Sequence, residues 1–396
     1  MTEAREPSEG MLHHRTLLRG AVAEHHLSIL PGGASADAAA ARRLFDRLAA
    51  LVAGSGIEPV QQKLYGAGAS REALLAAHDE AFRACGLDLE PAVLFLDGAP
   101  PRGGPFGGFQ LFGLSRQEPG EPLVKSVALP GGKTGRTWSL AGARFLHVPL
   151  LVGSDPDGSL PPEPTAQAER MFEHAAGALA SQGLSFRELA RTWIYLSRLL
   201  DWYGPFNDVR TRRYQAAGLI GADSARLPAS TGIQGRNDRE ACVMDLLAID
   251  PGPSRELSVR PIRETRRQGA AFAYGSSFSR AVSVEAGGGA TIFVSGTASI
   301  DAAGATVYVG DREAQCLATL LNVAALLEDE RGDLGSIAAG TLFCKDVAVY
   351  EAYELVCRQL RIPRLPLVPV IADVCRPDLL VEIEAVALTG EREASA

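Results

Sequence analysis

The sequence predicts an α+β chain of tandem units, each a mixed sheet backed by two helices. Three observations point there. Ala166–Gln167 recurs as Ala314–Gln315, an offset of 148 that also carries Leu179 to Leu327 and Tyr195 to Phe343. The same succession of element signals surrounds both sets. A fainter copy upstream, at an offset of 127, relates Phe45 to Phe172 and Gly56 to Gly183. With 396 residues, the chain is also too long for one compact core. The expected units are 20–118, 119–252 and 258–391, after an N-terminal tail of 1–19.

In the first unit, Ala39–Gly56, Val60–Tyr65, Ser70–Gly86, Ala92–Asp97 and Gly107–Leu114 read as helix, strand, helix, strand, strand. The second has a turn at Asp155–Gly158 and a helix over Ala166–Gln182, with apolar residues at helical spacing. A strand over Thr192–Leu196 and a helix over Pro205–Ala217 follow, then strands Leu227–Ile233 and Ala241–Ile249. The third repeats the order: turn Asp301–Gly304, helix Arg312–Glu328, strand Thr341–Cys344, helix Ala348–Leu360, strands Leu365–Val374 and Leu379–Leu388.

Composition narrows the function. Acidic residues (47) outnumber basic ones (39), for a net charge of -8, so nucleic acid is not an expected partner. No apolar run approaches the ~18–20 residues of a membrane span. Met1–Glu9 is polar and acidic, without the apolar stretch of a secretory signal. Six cysteines are scattered without a CxxC pair, the usage of a reduced, cytoplasmic chain. All seven histidines lie before residue 175, with no HExxH spacing, so no metal site is expected. Chemistry in the C-terminal half therefore falls to carboxylates, thiols, Lys, Tyr or Arg. Gly287–Gly289 precedes a strand, not a helix, and reads as a turn rather than a phosphate cradle.

The third unit carries a resemblance. Phe293-Val-Ser-Gly-Thr-Ala-Ser-Ile300, Gly310–Asp311, Ala314–Gln315, Asn322 and Val381-Glu-Ile-Glu-Ala-Val-Ala387 resemble the reactive-intermediate deaminase (Rid, YjgF-like) superfamily. That resemblance implies small chorismate-mutase-like α+β subunits that form trimers, with ligand sites in the clefts between them. Three copies in one chain imply an intrachain pseudo-trimer and a monomer in solution. Ala190-Arg-Thr-Trp-Ile-Tyr195, Leu227-Pro-Ala-Ser-Thr-Gly-Ile233, Tyr274–Gly275 with Phe278-Ser-Arg280, and Asp373-Val-Cys-Arg-Pro-Asp-Leu-Leu-Val-Glu382 resemble, within it, the chorismatases. These are tandem members that cleave pyruvate from chorismate without a cofactor. The likeness is carried by 290–388 and partly by 145–250.

Glu382 stands first among the candidates. On an alternating strand, Leu380, Glu382, Glu384, Val386 and Leu388 share one face, so Glu382 sits among apolar neighbours. Burial there would raise its pKa, as a general acid near neutral pH requires. The resemblance makes it the catalytic glutamate, with Glu384 supporting it or partly exposed. Cys375 reads alone as a small buried hydrophobe. The resemblance places Cys there, with Gly at position 296, in chorismatases that form 3-hydroxybenzoate, where a thiol could move protons during rearomatisation. Gly296 and Thr297 lie together in Ser-Gly-Thr; a Gly leaves room for the ring. The second unit's counterpart of Gly296 is Leu150, which suggests a filled pocket there.

A dianionic substrate such as chorismate needs cationic partners. Arg280 is assigned one carboxylate, since its planar fork matches a carboxylate with two bonds; Tyr274 is a nearby hydroxyl donor. Tyr203 and Arg210 are the second unit's contribution, with Arg213 and Tyr214 on the same helix face, although such arginines also suit a solvated face. Lys345 either points into the cleft or caps a loop. Gln234 and Ser230–Thr231 contact substrate or satisfy a sheet edge. The run Arg260, Arg263, Arg266, Arg267 reads as a solvated linker.

Two other functions compete. Rid-type enamine or imine deaminases hold the substrate carboxylate with an arginine 15 residues before the strand glutamate. That position here is Leu367; Arg364 is out of register, with Pro366 and Pro369 around it. A non-catalytic metabolite-binding protein could retain the same cleft. An RNA-cleaving role fits neither the net charge nor a third unit without histidine. The second unit ends in Met244-Asp-Leu-Leu rather than Glu-x-Glu, so one working site is expected, between units two and three.

Overall fold

The computed structural model describes residues 10–32, 37–118, 120–220, 226–235, 239–253 and 256–390. The stretch read above for a secretory signal, and residue 391, lie outside them. The first unit comprises β1 (Met11–Arg19), β2 (Val22–Leu30), α1 (Ala38–Gly54), β3 (Glu58–Gly66), α2 (Arg71–Ala84), β4 (Leu94–Asp97) and β5 (Phe106–Arg116). The second comprises β6 (Lys125–Leu129), β7 (Lys133–Leu140), β8 (Ala143–Val152), α3 (Pro164–Ser181), β9 (Leu189–Leu196), α4 (Leu199–Ala216), β10 (Ala229–Gln234) and β11 (Cys242–Asp250). The third comprises β12 (Leu257–Ile262), β13 (Ala281–Ala286), β14 (Gly289–Ala298), α5 (Arg312–Asp329), β15 (Ile337–Cys344), α6 (Val347–Gln359), β16 (Leu367–Ile371) and β17 (Val381–Thr389).

One topology occurs three times. The sheet orders are β1-β2-β5-β3-β4, β10-β9-β11-β8-β7-β6 and β12-β13-β14-β17-β15-β16. Each has its last strand at the centre and one parallel pair at an edge. The chain is therefore an α+β protein of tandem units. Each sheet packs one face on its own two helices: Phe45, Phe82 and Phe109 in the first, Phe172 and Phe206 in the second, Leu326 and Ile383 in the third. The other faces meet in a single shared core, with Val60 and Tyr65 from the first sheet, Trp138 and Trp193 from the second, and Phe293 and Val368 from the third. The helices are thus outside and the sheets inside.

Local chemistry sets the boundaries. Asp37, Asp311 and Asp346 each accept the N–H three residues on, capping α1, α5 and α6. Helix α4 corrects the sequence reading. It begins at Leu199, not Pro205, and runs through the proline. An interior Pro costs about 3 kcal/mol. Leu199, Trp202, Phe206 and Val209 are buried at spacings of three and four, and each such burial contributes roughly 1.5–3 kcal/mol. The apolar stripe wins.

The tail expected over 1–19 is also corrected. Met11–Arg19 pairs with β2 along its whole length, joined by the two-residue turn Gly20–Ala21. Few of its residues are apolar, so its pattern is faint. It is fixed by its end. Arg19 reaches into the third unit and donates to the carbonyls of Val284, Ala286 and Gly289 and to the Thr291 hydroxyl.

Candidate active site

The site is organised by a bulge. Along the β14–β17 pair the register shifts between Val294 and Thr297, so Ser295 and Gly296 have no partner on β17. Glu382 lies beside that gap, opposite Ala298 on one flank and Phe343 on the other. Its side chain shares the inward face with Glu384 and Val386, while Val381, Ile383 and Ala385 face the helices. Glu382 is 4% exposed. A Cβ at residue 296 would stand 2.0 Å from its Oε1, so the missing side chain of Gly296 is the space the carboxyl occupies. The sequence reading gave that space to a substrate ring; the geometry gives it first to the acid.

Burial and the neighbouring Glu384 push the Glu382 carboxyl up to about 8, against the pull of Arg191 and a hydrogen bond from the Cys375 thiol. It is a protonated acid at neutral pH. The Cys375 thiol is itself pushed up, by burial first and then by Glu382, so it is held as a thiol.

Glu382 opens onto a cleft with about 520 Å³ of open space between the second and third units. Tyr203 and Arg210 of α4, with Ser230 and Gly232 of β10, form one wall. Tyr274, Phe278, Arg280, Gly296, Cys375 and Arg376 form the other. Arg210 and Arg280 are each 1% exposed. Arg210 donates to Asn207 at 2.6 Å and Ser230 at 3.4 Å, and its Nε has no partner. Arg280 is anchored on the Gly269 carbonyl by Nε and Nη2, at 3.0 and 2.6 Å. The Phe278 ring lies between the two, 5.7 Å from Arg210 and 5.8 Å from Arg280. Tyr274 sits likewise between Arg280 and Arg376, at 5.3 and 5.5 Å. Its ring rests on Gly304, where a Cβ would come within 2.1 Å. Three guanidiniums facing one neutral carboxylic acid make a cleft for an anion.

The equivalent positions in the other units are inert. By register, Val243 on β11 and Gly108 on β5 stand where Glu382 stands on β17. Leu150 occupies the bulge matching Gly296, at φ 54, and its N–H donates to Asp245. Among the described residues, no group of three His, Cys, Asp or Glu side chains is arranged to hold a metal. No described helix is long and apolar enough to cross a membrane.

Comparison with known proteins fits this geometry. The profile of the endoribonuclease L-PSP family matches residues 269–389, which hold Tyr274, Arg280, Gly296, Cys375 and Glu382. That match spans most of the third unit. A crystal structure of a chorismatase superposes with a TM-score of 0.56 over 83% of this chain and 92% of that one, at 21% identity, so the superposed part of this chain shares that fold. The 3-hydroxybenzoate synthase of Streptomyces hygroscopicus is 34% identical over 111 residues, 26% of this chain and 32% of the relative. The chorismatase of Streptomyces hygroscopicus is 29% identical over 221 residues, 52% of this chain and 62% of the relative. These matches thus span about a third and about six tenths of those relatives' lengths.

Of the expected site residues, Glu382, Cys375, Arg280, Tyr274, Gly296, Tyr203 and Arg210 line the one cleft. Thr297 does not; its hydroxyl turns back to the Ser295 carbonyl. Nor does Lys345, whose ammonium group donates to the Pro377 carbonyl and ties down the loop before β17. Arg213 is drawn off α4 to Glu169 and Glu173 on α3, and Tyr214 is buried in the second unit's core. Arg364 lines a separate cavity with Tyr350 and Tyr353, and Leu367 is buried beside α6. Arg376 was missed, although it lies inside the motif that holds Cys375; a cation next to the thiol was the available signal. Glu384 is 3% exposed, so it is not a surface group.

An Ala at position 296 should drive the Glu382 carboxyl from its seat. The side chain can swing, so the fold should survive, but displacement of about 1 Å costs as much as ~10²-fold in rate. Gly296→Ala is expected to lower kcat by at least tenfold, with an unchanged melting profile.

Proposed function

We propose that the chain is a chorismatase-like enzyme that cleaves chorismate to pyruvate and 3-hydroxybenzoate by acid catalysis at the enolpyruvyl ether. The observation that carries this reading is a buried, protonated Glu382 facing Arg210, Arg280 and Arg376 across one cleft. The arginines supply partners for the two carboxylates of a dianion. Glu382 gives its proton to the terminal methylene carbon, and positive charge develops on the carbon next to the ether oxygen. The carboxylate left behind stabilises that cation. The bond from the ring to the ether oxygen then breaks as the adjacent ring hydroxyl closes onto that ring carbon and gives its proton to the Glu382 carboxylate, so the ether oxygen leaves as the ketone of pyruvate. The three-membered ring so formed reopens with its oxygen on that carbon, and loss of the neighbouring C–H proton gives 3-hydroxybenzoate. The two products together contain the atoms of chorismate, with no oxidant and no net water, so no cofactor is called for.

The Cys375 thiol supports the aromatic product. It sits beside Glu382 and stays protonated, a second group able to pass a proton during rearomatisation. Cys375→Ala is expected to shift the product from 3-hydroxybenzoate toward a dihydrodiol; an unchanged product ratio removes Cys375 from the chemistry.

The deciding experiment incubates purified protein with chorismate and follows pyruvate enzymatically and the aromatic acid by chromatography. Release of both supports the reading. Hydrolysis of 2-aminoacrylate-type imines, with chorismate untouched, would make the protein a deaminase. Binding of chorismate without turnover would make it a metabolite-binding protein. Sedimentation near 41.8 kDa is the expected monomer, each chain carrying its own cleft.

A further inference from the structure

The three sheets meet around a second polar cluster, apart from the cleft. Its cavity has about 610 Å³ of space open in part to solvent and is lined by Lys63, Arg191, Glu384, His147, Trp193 and Gln110, with Gln61, His26 and apolar neighbours. Gln110, Asp245 and Glu384 occupy the same register position on the three central strands. Glu384 is gripped from three elements. Its Oε1 accepts from Thr341 of β15 at 3.1 Å and lies 3.7 Å from the Lys63 ammonium of β3; its Oε2 accepts from Arg191 of β9 at 2.9 Å. Lys63 stacks over Trp193 at 4.4 Å, and Arg191 over the same ring at 5.0 Å. Asp245 is the other carboxylate, held by Gln61, the Leu150 N–H and His147.

We infer that Glu384, clamped between Lys63 of the first unit and Arg191 of the second, is a positioning residue that keeps Glu382 a proton donor. Glu382 is two residues along the same inward strand face. A fixed carboxylate there opposes a second negative charge on Glu382, while Arg191 favours one. The groups that face Glu382 are then Glu384 on β17, Arg191 on β9, Cys375 on the preceding loop, Tyr203 and Arg210 on α4, and, across the cleft, Tyr274, Arg280 and Arg376. Without compensation, a buried Glu384 would neutralise itself and the repulsion would vanish. Lys63 and Arg191 prevent that: the carboxyl of Glu384 is held below its ordinary range, against burial, by these two cations first. The first unit, none of whose described residues lines the cleft, thereby supplies a charge on which the acid depends.

The inference rests on Glu382 being the acid of the proposed reaction, and its test is separable from that reading. Lys63→Met with Glu384→Gln removes one cation and one carboxylate together, so the net charge of the cluster is unchanged. The alkaline limb of the pH–rate profile is expected to move down by about one pH unit or more. Arg191→Met removes a group that favours the ionised acid and leaves Lys63, the larger of the two influences on Glu384, to keep that carboxylate charged, so the limb is expected to move up. A merely structural role would lower the amplitude and leave the limb in place. The carboxylic C=O stretch of Glu382, identified by its loss in Glu382→Gln and titrated by infrared difference spectroscopy, reads the same shift without substrate. Opposite infrared shifts support the inference even if chorismate is not cleaved, in which case only the functional reading falls. An infrared titration unmoved in whichever of the two variants folds overturns it.

Discussion

Glu382→Gln is expected to abolish pyruvate release while leaving the protein folded. Glutamine keeps the shape and burial of the side chain but cannot donate a proton to carbon. Positioned acid catalysis is worth typically ~10²–10⁴-fold, and the loss should lie in that range, in kcat more than in KM, because the arginines remain. The wild-type profile should show the complementary signature, with activity on the acid side and a decline as pH rises through about 8. The stability consequence has a definite sign. An acid whose folded pKa is raised stabilises the fold relative to its ionised state below its ordinary 4.5, and that contribution drains away as pH climbs toward 8. Glutamine does not titrate and escapes the loss. Glu382→Gln should therefore melt at or above wild type at pH 7, the pattern of a residue kept for function against stability. A variant that releases pyruvate at the wild-type rate removes Glu382 from the chemistry.

That acid was legible because its signal is local. A period-two strand puts Glu382 on a face with Val386 and Leu388, and the sheet does bury that face. The triplicate topology was legible too, because an offset of 148 preserves both the helix seam and the strand ends. What escaped depends on partners far along the chain. Glu384 could not be placed from its strand alone, since its counter-ion Arg191 is 193 positions away and Lys63 comes from another unit. Helical spacing left Arg213 open between the cleft and a solvated helix face. Spacing fixes a neighbourhood and not an outcome, and two glutamates on α3 outbid the cleft for its guanidinium. Lys345 failed similarly: a strand end gives a long side chain two directions, and a loop carbonyl took it. Pro205 misled in the opposite sense, a strong local signal overruled by an apolar stripe. The role of Gly296 was half legible, since the need for space could be read but not what fills it.

Arg19 produces the largest expected effect on stability, and it lies where the sequence reads as tail. Its guanidinium is 2% exposed and meets Glu24 at 3.3 Å, along with the three carbonyls and one hydroxyl that bind it to the third unit. Glu24 is equally buried and is held down to about 2 by His26, Arg19 and Thr291 against its own desolvation. Breaking one side of a buried pair leaves the other charge uncompensated, which costs about 3–5 kcal/mol. Arg19→Met should lower the urea midpoint by a corresponding amount. Arg19→Lys should rescue little, because one ammonium cannot reproduce a planar fork that reaches five acceptors. Arg42→Met, on an exposed ion pair with Asp46, should leave the midpoint where it is. The acid limb gives an independent reading. A carboxylate with a depressed folded pKa contributes stability above its ordinary 4.5 and loses it as pH falls through about 2. Without Arg19 the folded value rises, so acid unfolding should begin at higher pH. The contact also reaches the cleft. Val284, Ala286, Gly289 and Thr291 belong to β13 and β14, and β14 ends in the bulge that seats Glu382. A loosened β1 should therefore lower kcat even in the fraction that stays folded. An Arg19→Met protein with wild-type midpoint and rate would mean that the first unit is held to the third by the shared core alone.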